Sequence, residues 1–200
     1  MSTIAPAEPS PIAPPPIASP AVYRISVDEY ERMAGLLDDD RVELIDGYLV
    51  RKMGQNPPHS WVTREVLNRL DQMLPSGWMW RQEQPVRIPD YDEPEPDIAI
   101  VRGTNDDYKH RTPEPADVAL LVEVSETTYD HDRGQKWIAY SKGGIPVYWI
   151  INLAKGSVEV YTDPSPAGYE SRVDFQAGQQ VPIMIGDQPL RPIAVADILP

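Results

Sequence analysis

Asp97, Glu123 and Lys136 are the residues whose types and spacing could together do chemistry. In DVALLVEVS (117–125) the even positions Val118, Leu120, Val122 and Val124 would take one face of a strand. Ala119, Leu121, Glu123 and Ser125 would take the other. A carboxylate beside Leu121 in so apolar a strand costs several kcal/mol unless it is paired, protonated or bound to a metal. PDIAIV (96–101) supplies a partner, because Asp97 shares a face with Ala99 and Val101. If the two strands are antiparallel neighbours across the polar loop RGTNDDYKHRTPEPAD, pairing Val101 with Ala119 also sets Asp97 opposite Glu123. Directly opposed residues have Cβ atoms about 5 Å apart, and like charges there repel unless a cation or proton lies between them. An oxygen-only ligand pair suits Mg²⁺ or Mn²⁺, and such a site acts on phosphate esters. Lys136 follows on a helical stretch, four positions from both Asp132 and Tyr140, where it could orient the attacking water and stabilise developing negative charge. A metal-free alternative is a buried Glu123–Lys136 ion pair.

These residues need elements to hold them. Ser26-Val27-Asp28-Glu29 has capping-box spacing and predicts a short helix ending by about Asp38. Asp46-Gly47 between two alternating stretches predicts a two-residue hairpin. HSWVTREVLNRLDQML carries Val62, Val66 and Leu70 at helical spacing, with Ser60 as N-cap and Pro75 and Gly77 as stops. QPVRIP, PDIAIVR and DVALLVEVS read as strands, and PVYWIIN with SVEVYTD as a hairpin around Ala154-Lys155-Gly156. Between DVALLVEVS and VYWIIN lies the helical DHDRGQKWIAYSK, a strand–helix–strand unit that implies a right-handed crossover between parallel strands. The fold class is therefore α/β, a mixed central β-sheet flanked by helices, with a small C-terminal β extension over 165–200.

Composition bounds the rest. Two hundred residues suffice for one domain with a real core, expected over 23–200, preceded by a disordered Pro-rich tail over 1–22 that carries seven prolines. The absence of cysteine removes thiolate metal sites and fits a reducing compartment. A formal charge of −13 argues against generic polyanion binding, so nucleic acid would need a local basic rim. Lys109, His110, Arg111, Arg51, Lys52 and Arg133 are the candidates for it. Neither a membrane-spanning run nor a signal peptide is visible, and a cytoplasmic protein is expected.

Taken in order, ELIDG (43–47), PDIAIV, LLVEVS, then Asp132, Lys136 and Tyr140 at four-residue spacing and VYWIIN (147–152) resemble the Uma-two family of restriction-endonuclease-like proteins, within the PD-(D/E)XK nucleases. The resemblance covers about residues 24 to 162 and implies a restriction-endonuclease-like core with Asp97 and Glu123 as metal ligands. It also implies Glu43 as a further acidic member of the site and Tyr140 as a support for the lysine. Ser125 stands where the nuclease signature carries a Lys, so that role passes to Lys136. His59, near a family histidine, reads as a helix cap, a surface residue or a phosphate or water contact. Glu43 could instead pair with Arg41 or Lys52 on a solvated hairpin face. Asp38-Asp39-Asp40 reads as a solvated helix end, and Trp61, Trp137, Tyr148 and Trp149 as packing residues. The implied activity is metal-dependent hydrolysis of DNA phosphodiester bonds. The alternatives are an inactive nuclease-fold module that binds nucleic acid or protein, and a hydrolase acting on a smaller phosphoester. A homodimer is expected from the two-strand geometry of duplex cleavage and the apolar C-terminal extension.

Overall fold

The structure, a computed structural model, describes residues 22–33, 36, 42–52 and 54–200. Apart from Val22, the expected tail lies outside the described residues, as do Asp38-Asp39-Asp40 and Arg41. The capping box forms as its spacing requires. Glu29 N donates to Ser26 Oγ at 3.3 Å, Ser26 N donates to Glu29 Oε2 at 2.9 Å, and helix α1 runs over Val27–Met33. Strands β1 (Val42–Ile45) and β2 (Tyr48–Arg51) close the predicted hairpin. Asp46 and Gly47 take φ of 49° and 78°, the left-handed pair that a tight turn between twisted strands needs. The Gly47 Cα also lies so close to Arg24 that a Cβ there would sit 2.7 Å from the Arg24 Cβ.

Helix α2 spans Pro57–Asp71 and starts before the predicted Ser60. Its N-cap is Asn56, which accepts from His59 N at 3.0 Å, and Pro57 and Pro58 fill the first two helical positions. Proline is tolerated there because those amides have no partner within the helix.

Six strands make the central sheet, in the order β3-β4-β5-β6-β7-β8: Trp78–Gln82, Ile98–Arg102, Val118–Ser125, Val147–Asn152, Ser157–Ser165 and Gly168–Gln176. Only β5 and β6 are parallel, and the helical segment between them supplies the crossover. The predicted strand QPVRIP is replaced by β3, just upstream. Pro85 has no amide to give a ladder, and this stretch keeps a single bridge, Ile88 to Asp92. The C-terminal segment divides between two places. β8 joins the main sheet, while β9 (Gln180–Ile185) and β10 (Gln188–Ala194) form a separate hairpin.

The predicted β4–β5 register holds for Ile98↔Val122, Ala99↔Leu121 and Ile100↔Leu120. It then shifts, so that Val101 pairs with Val118 and Ala119 is an extra residue. This bulge exchanges the faces expected of the first two residues. Val118 joins the layer with Leu121, and Ala119 the layer with Leu120. The shift falls at the end of the strand away from Glu123, so the carboxylate keeps its predicted face. One face of the sheet is covered by α2 and the β9–β10 hairpin, and the other by the crossover helices.

Candidate active site

The crossover begins as helix α3 (Tyr129–His131), widens into a π turn over Asp132–Lys136 and continues as helix α4 (Trp137–Lys142). Eight residues of regular α-helix advance about 80° beyond whole turns, and one extra residue in a wide turn takes back about 100°. The π turn therefore keeps Asp132, Lys136 and Tyr140 on one stripe facing the sheet. Arg133 stacks over the Trp137 and Tyr161 rings, and the Tyr148 hydroxyl donates to the Asp132 carbonyl at 3.0 Å, which fastens the turn. The Trp137 ring fits only because residue 168 is glycine, where a Cβ would fall 1.7 Å from the indole.

At the start of β4 and the end of β5 the two carboxylates are neighbours. Asp97 N approaches Glu123 Oε2 at 3.4 Å, and Val124 N donates to Asp97 Oδ2 at 2.7 Å. Lys136 Nζ lies 3.0 Å from Glu123 Oε1 and 3.1 Å from Glu43 Oε2, and the Tyr140 hydroxyl donates to Glu123 Oε1 at 2.7 Å. Glu43 is 2% exposed, accepts from Glu95 N at 3.0 Å and has His131 Nε2 3.4 Å away. It therefore faces inward and does not sit on a solvated face; Lys52 pairs instead with Glu95. His59 is on the first turn of α2, its Nε2 3.1 Å from Asp97 Oδ2 and its Nδ1 buried without a partner. The ion pair expected of a metal-free site thus exists, and Asp97 lies beside it.

These groups line an open cleft of about 620 Å³ between the hairpin, the start of α2, the loop after β5 and the crossover. Five of the six expected site residues line it: Glu43, His59, Asp97, Glu123 and Lys136. Tyr140 lies behind Glu123. Of the expected basic rim, Arg51 and Lys52 line the cleft; Lys109, His110, Arg111 and Arg133 do not. Lys109 pairs with Asp106 and Arg111 with Asp117, since each has an acid nearby in sequence. Trp61, expected to pack, is 45% exposed, whereas Tyr148 and Trp149 are buried.

The electrostatics follow from burial and crowding. Desolvation pushes the Glu123 carboxyl well up, with Asp97, Asp132 and Glu43 adding to it and Lys136 opposing. Burial works against the charge on Lys136, but Glu123, Glu43 and Asp132 overcome it and hold its proton firmly. Burial likewise raises Glu43, yet Lys136, His131 and the Glu95 amide bring it down to about 2. At His59 burial lowers the pKa, and Asp97 more than reverses the effect.

Eight carboxylates line the cleft against three Lys or Arg side chains, a surplus of negative charge that suits a cation. The donor set fits one. Asp97 Oδ1 and Glu123 Oε2 each have only a long contact, 3.5 Å and 3.4 Å, while the other oxygen of each carboxylate is committed to short ones. Among the described residues no three His, Asp or Glu side chains converge as a complete cage. Two carboxylates with retained waters are a usual way to hold Mg²⁺.

Asp132 is the principal residue of the site to which the sequence reading gave no role. It is buried in the cleft wall, accepts 2.6 Å bonds from Ser125 and Thr128, and is pushed up by burial. Its place four residues before Lys136 was the available signal. Gln55, Glu95 and His131 gave none, because they reach the site from separate segments.

The model of the Uma2 family, described as "Putative restriction endonuclease", matches residues 27–186. The chain belongs to this family. The Uma2 match runs from the start of α1 to just beyond β9 and so includes the whole cleft. A solved structure from Anabaena variabilis ATCC 29413, titled as "a putative nuclease belonging to DUF820", shares the fold with a TM-score of 0.64. It is 16% identical, over 87% of this Uma2 chain and 97% of that one. No curated protein matches. Among the described residues no helix is long and apolar enough to cross a membrane.

Proposed function

We propose that the cleft hydrolyses DNA phosphodiester bonds with Mg²⁺ or Mn²⁺ held by Asp97 and Glu123, in a cytoplasmic protein. The observation that carries this reading is the adjacency of the two carboxylates, each with a loosely held oxygen, beside a buried lysine in an open cleft. The cation, when bound, would neutralise the two carboxylates and polarise a phosphoryl oxygen.

The chain's own residues do the rest. Lys136 keeps its proton because three carboxylates face it, so its Nζ is a fixed positive charge for the phosphorane oxygens and a donor that positions the attacking water. Glu43 and Tyr140 orient this pair, one holding Lys136 and the other Glu123 Oε1. His59 braces Asp97 through Nε2 and acts as a positioning residue, its Nδ1 being buried. Arg51 and Lys52 stand at the cleft wall where a nucleic-acid backbone would pass.

Incubating supercoiled and single-stranded DNA with the protein and Mn²⁺ or Mg²⁺ tests this. Cleavage that is lost with chelator, with Asp97→Ala and with Lys136→Ala is expected. A second reading, a binding module without catalysis, is favoured by the eight carboxylates of the cleft. Calorimetry that finds neither cation bound to the wild-type protein would select it.

A further inference from the structure

The two edges of the central sheet differ. β3 has five residues and stops where Glu83 turns to a φ of 50°, shortly before Pro85. Such shortness is one of the ways a protein blunts an edge against further strands. β8 has nine residues, contains neither Pro nor Lys, and pairs with β7 in a single register from Ser157↔Gln176 to Ser165↔Gly168. Among the described residues its other side has no strand neighbour. Near its middle Val173 is 50% exposed, and Glu170, Arg172 and Asp174 alternate in sign along it.

We propose that β8 is the contact surface for a second copy of this chain, pairing antiparallel with its own counterpart across a two-fold axis at Val173. A two-fold perpendicular to the sheet keeps each face on its own side, so the axis must pass through a residue position rather than between two. An axis at Glu170, Arg172 or Asp174 opposes like charges, and the one at Arg172 also sets Glu170 against Asp174. Within one chain Arg172 already donates to Asp174 at 2.6 and 2.8 Å and lies 3.2 Å from Glu159. An axis at Val173 sets this pair against its copy in reverse order, Arg172 of each opposite Asp174 of the other, with Ser171 opposite Phe175 and Glu170 opposite Gln176. Opposite charges facing across a strand pair are favourable. The two exposed valines then cover one another on the aliphatic side of the sheet. An axis at Ser171 also avoids charge conflict, but it sets Val173 opposite Tyr169, which is already buried against Trp137 and Tyr148. The apolar C-terminal extension is not available for this contact, because Val181, Ile183, Ile185 and Ile193 are spent in the core of their own chain.

Sedimentation velocity of the full chain tests the pairing, with circular dichroism to confirm that every variant folds. The wild-type protein is expected as a dimer at tens of micromolar. Val173→Lys and Val173→Glu, each placing like charges across the axis, are expected as monomers, and an equimolar mixture of the two is expected to recover the dimer. A monomeric wild-type protein overturns the proposal, as does a dimer that survives in both single variants. Failure of the mixture to reassociate overturns the axis at Val173. None of these readouts depends on whether the cleft is catalytic.

Discussion

The two faces of the central sheet use alternate residues of the same strands and are built from different chemistry. Against α2 and the β9–β10 hairpin lie Ile98, Ile100, Leu120, Val122 and Val124, with no buried charge among them. Against the crossover, which itself contributes Tyr140, lie Tyr148, Tyr161 and Tyr169, and the carboxylates Glu123 and Glu159 are buried on the same side. Each carboxylate is served by phenol hydroxyls: Tyr140 donates to Glu123, and Tyr129 and Tyr161 donate to Glu159. A tyrosine brings the bulk of a core residue and one uncharged donor at its tip. The aliphatic face excludes ions; the aromatic face can bury them because it carries its own donors.

Replacing Lys136 by Met should break this contrast most strongly. Glu123 and Glu43 lose their shared cation, and removing one partner of a buried pair costs about 3–5 kcal/mol. Urea unfolding should show that loss, and added Mn²⁺ should recover part of it. On the other face, Ile100→Ala should cost about 2–5 kcal/mol through its cavity, with no response to Mn²⁺. Equal Mn²⁺ sensitivity in the two variants would remove the distinction between the faces.

Glu43 gives a narrower test. Its carboxyl is held down from 4.5 to about 2, so its contribution is present above pH 4.5 and fades as pH falls through 2. The stability difference between wild type and Glu43→Gln should therefore shrink over that window in chemical denaturation. The smallest effect is expected at Glu93, buried beside its bridge partner Leu44 of β1; burial raises the carboxyl to about 7 and Oε2 is left without a partner. A raised acid costs nothing below pH 4.5 and destabilises increasingly as pH rises to 7. Glu93→Gln should gain on wild type in melting temperature between pH 5 and pH 8.

Much of the site was legible because its signals were local or paired. The Asp46-Gly47 turn and the Ser26–Glu29 box depend on neighbouring residues alone, and the Asp97–Glu123 register followed from two odd charges on matching strand faces. The bulge at Ala119 left no trace, since an extra alanine in an apolar run preserves the pattern of hydrophobicity. β3 was passed over because Trp78, Met79 and Trp80 lack the clean alternation of a strand with one wet face. The start of α2 was placed too late because Pro57 and Pro58 suggest a break, although at the first helical positions they suggest the opposite. The π turn depends on contacts that Arg133 and Trp137 make with Tyr161 and Gly168, which come from a distant part of the chain.

Those two prolines also act on the state the protein leaves when it folds. Pro57 and Pro58 have φ fixed before folding begins, and Pro57 also biases Asn56 toward the extended backbone it keeps as the N-cap. The unfolded segment leading to His59 thus has few conformations to give up, an advantage of about 0.4–1 kcal/mol for each well-placed proline. His59 is brought to Asp97 from a stretch of chain that was never free to wander far. The rigidity of that wall of the cleft is inherited from the unfolded chain as much as from the contacts of the folded one.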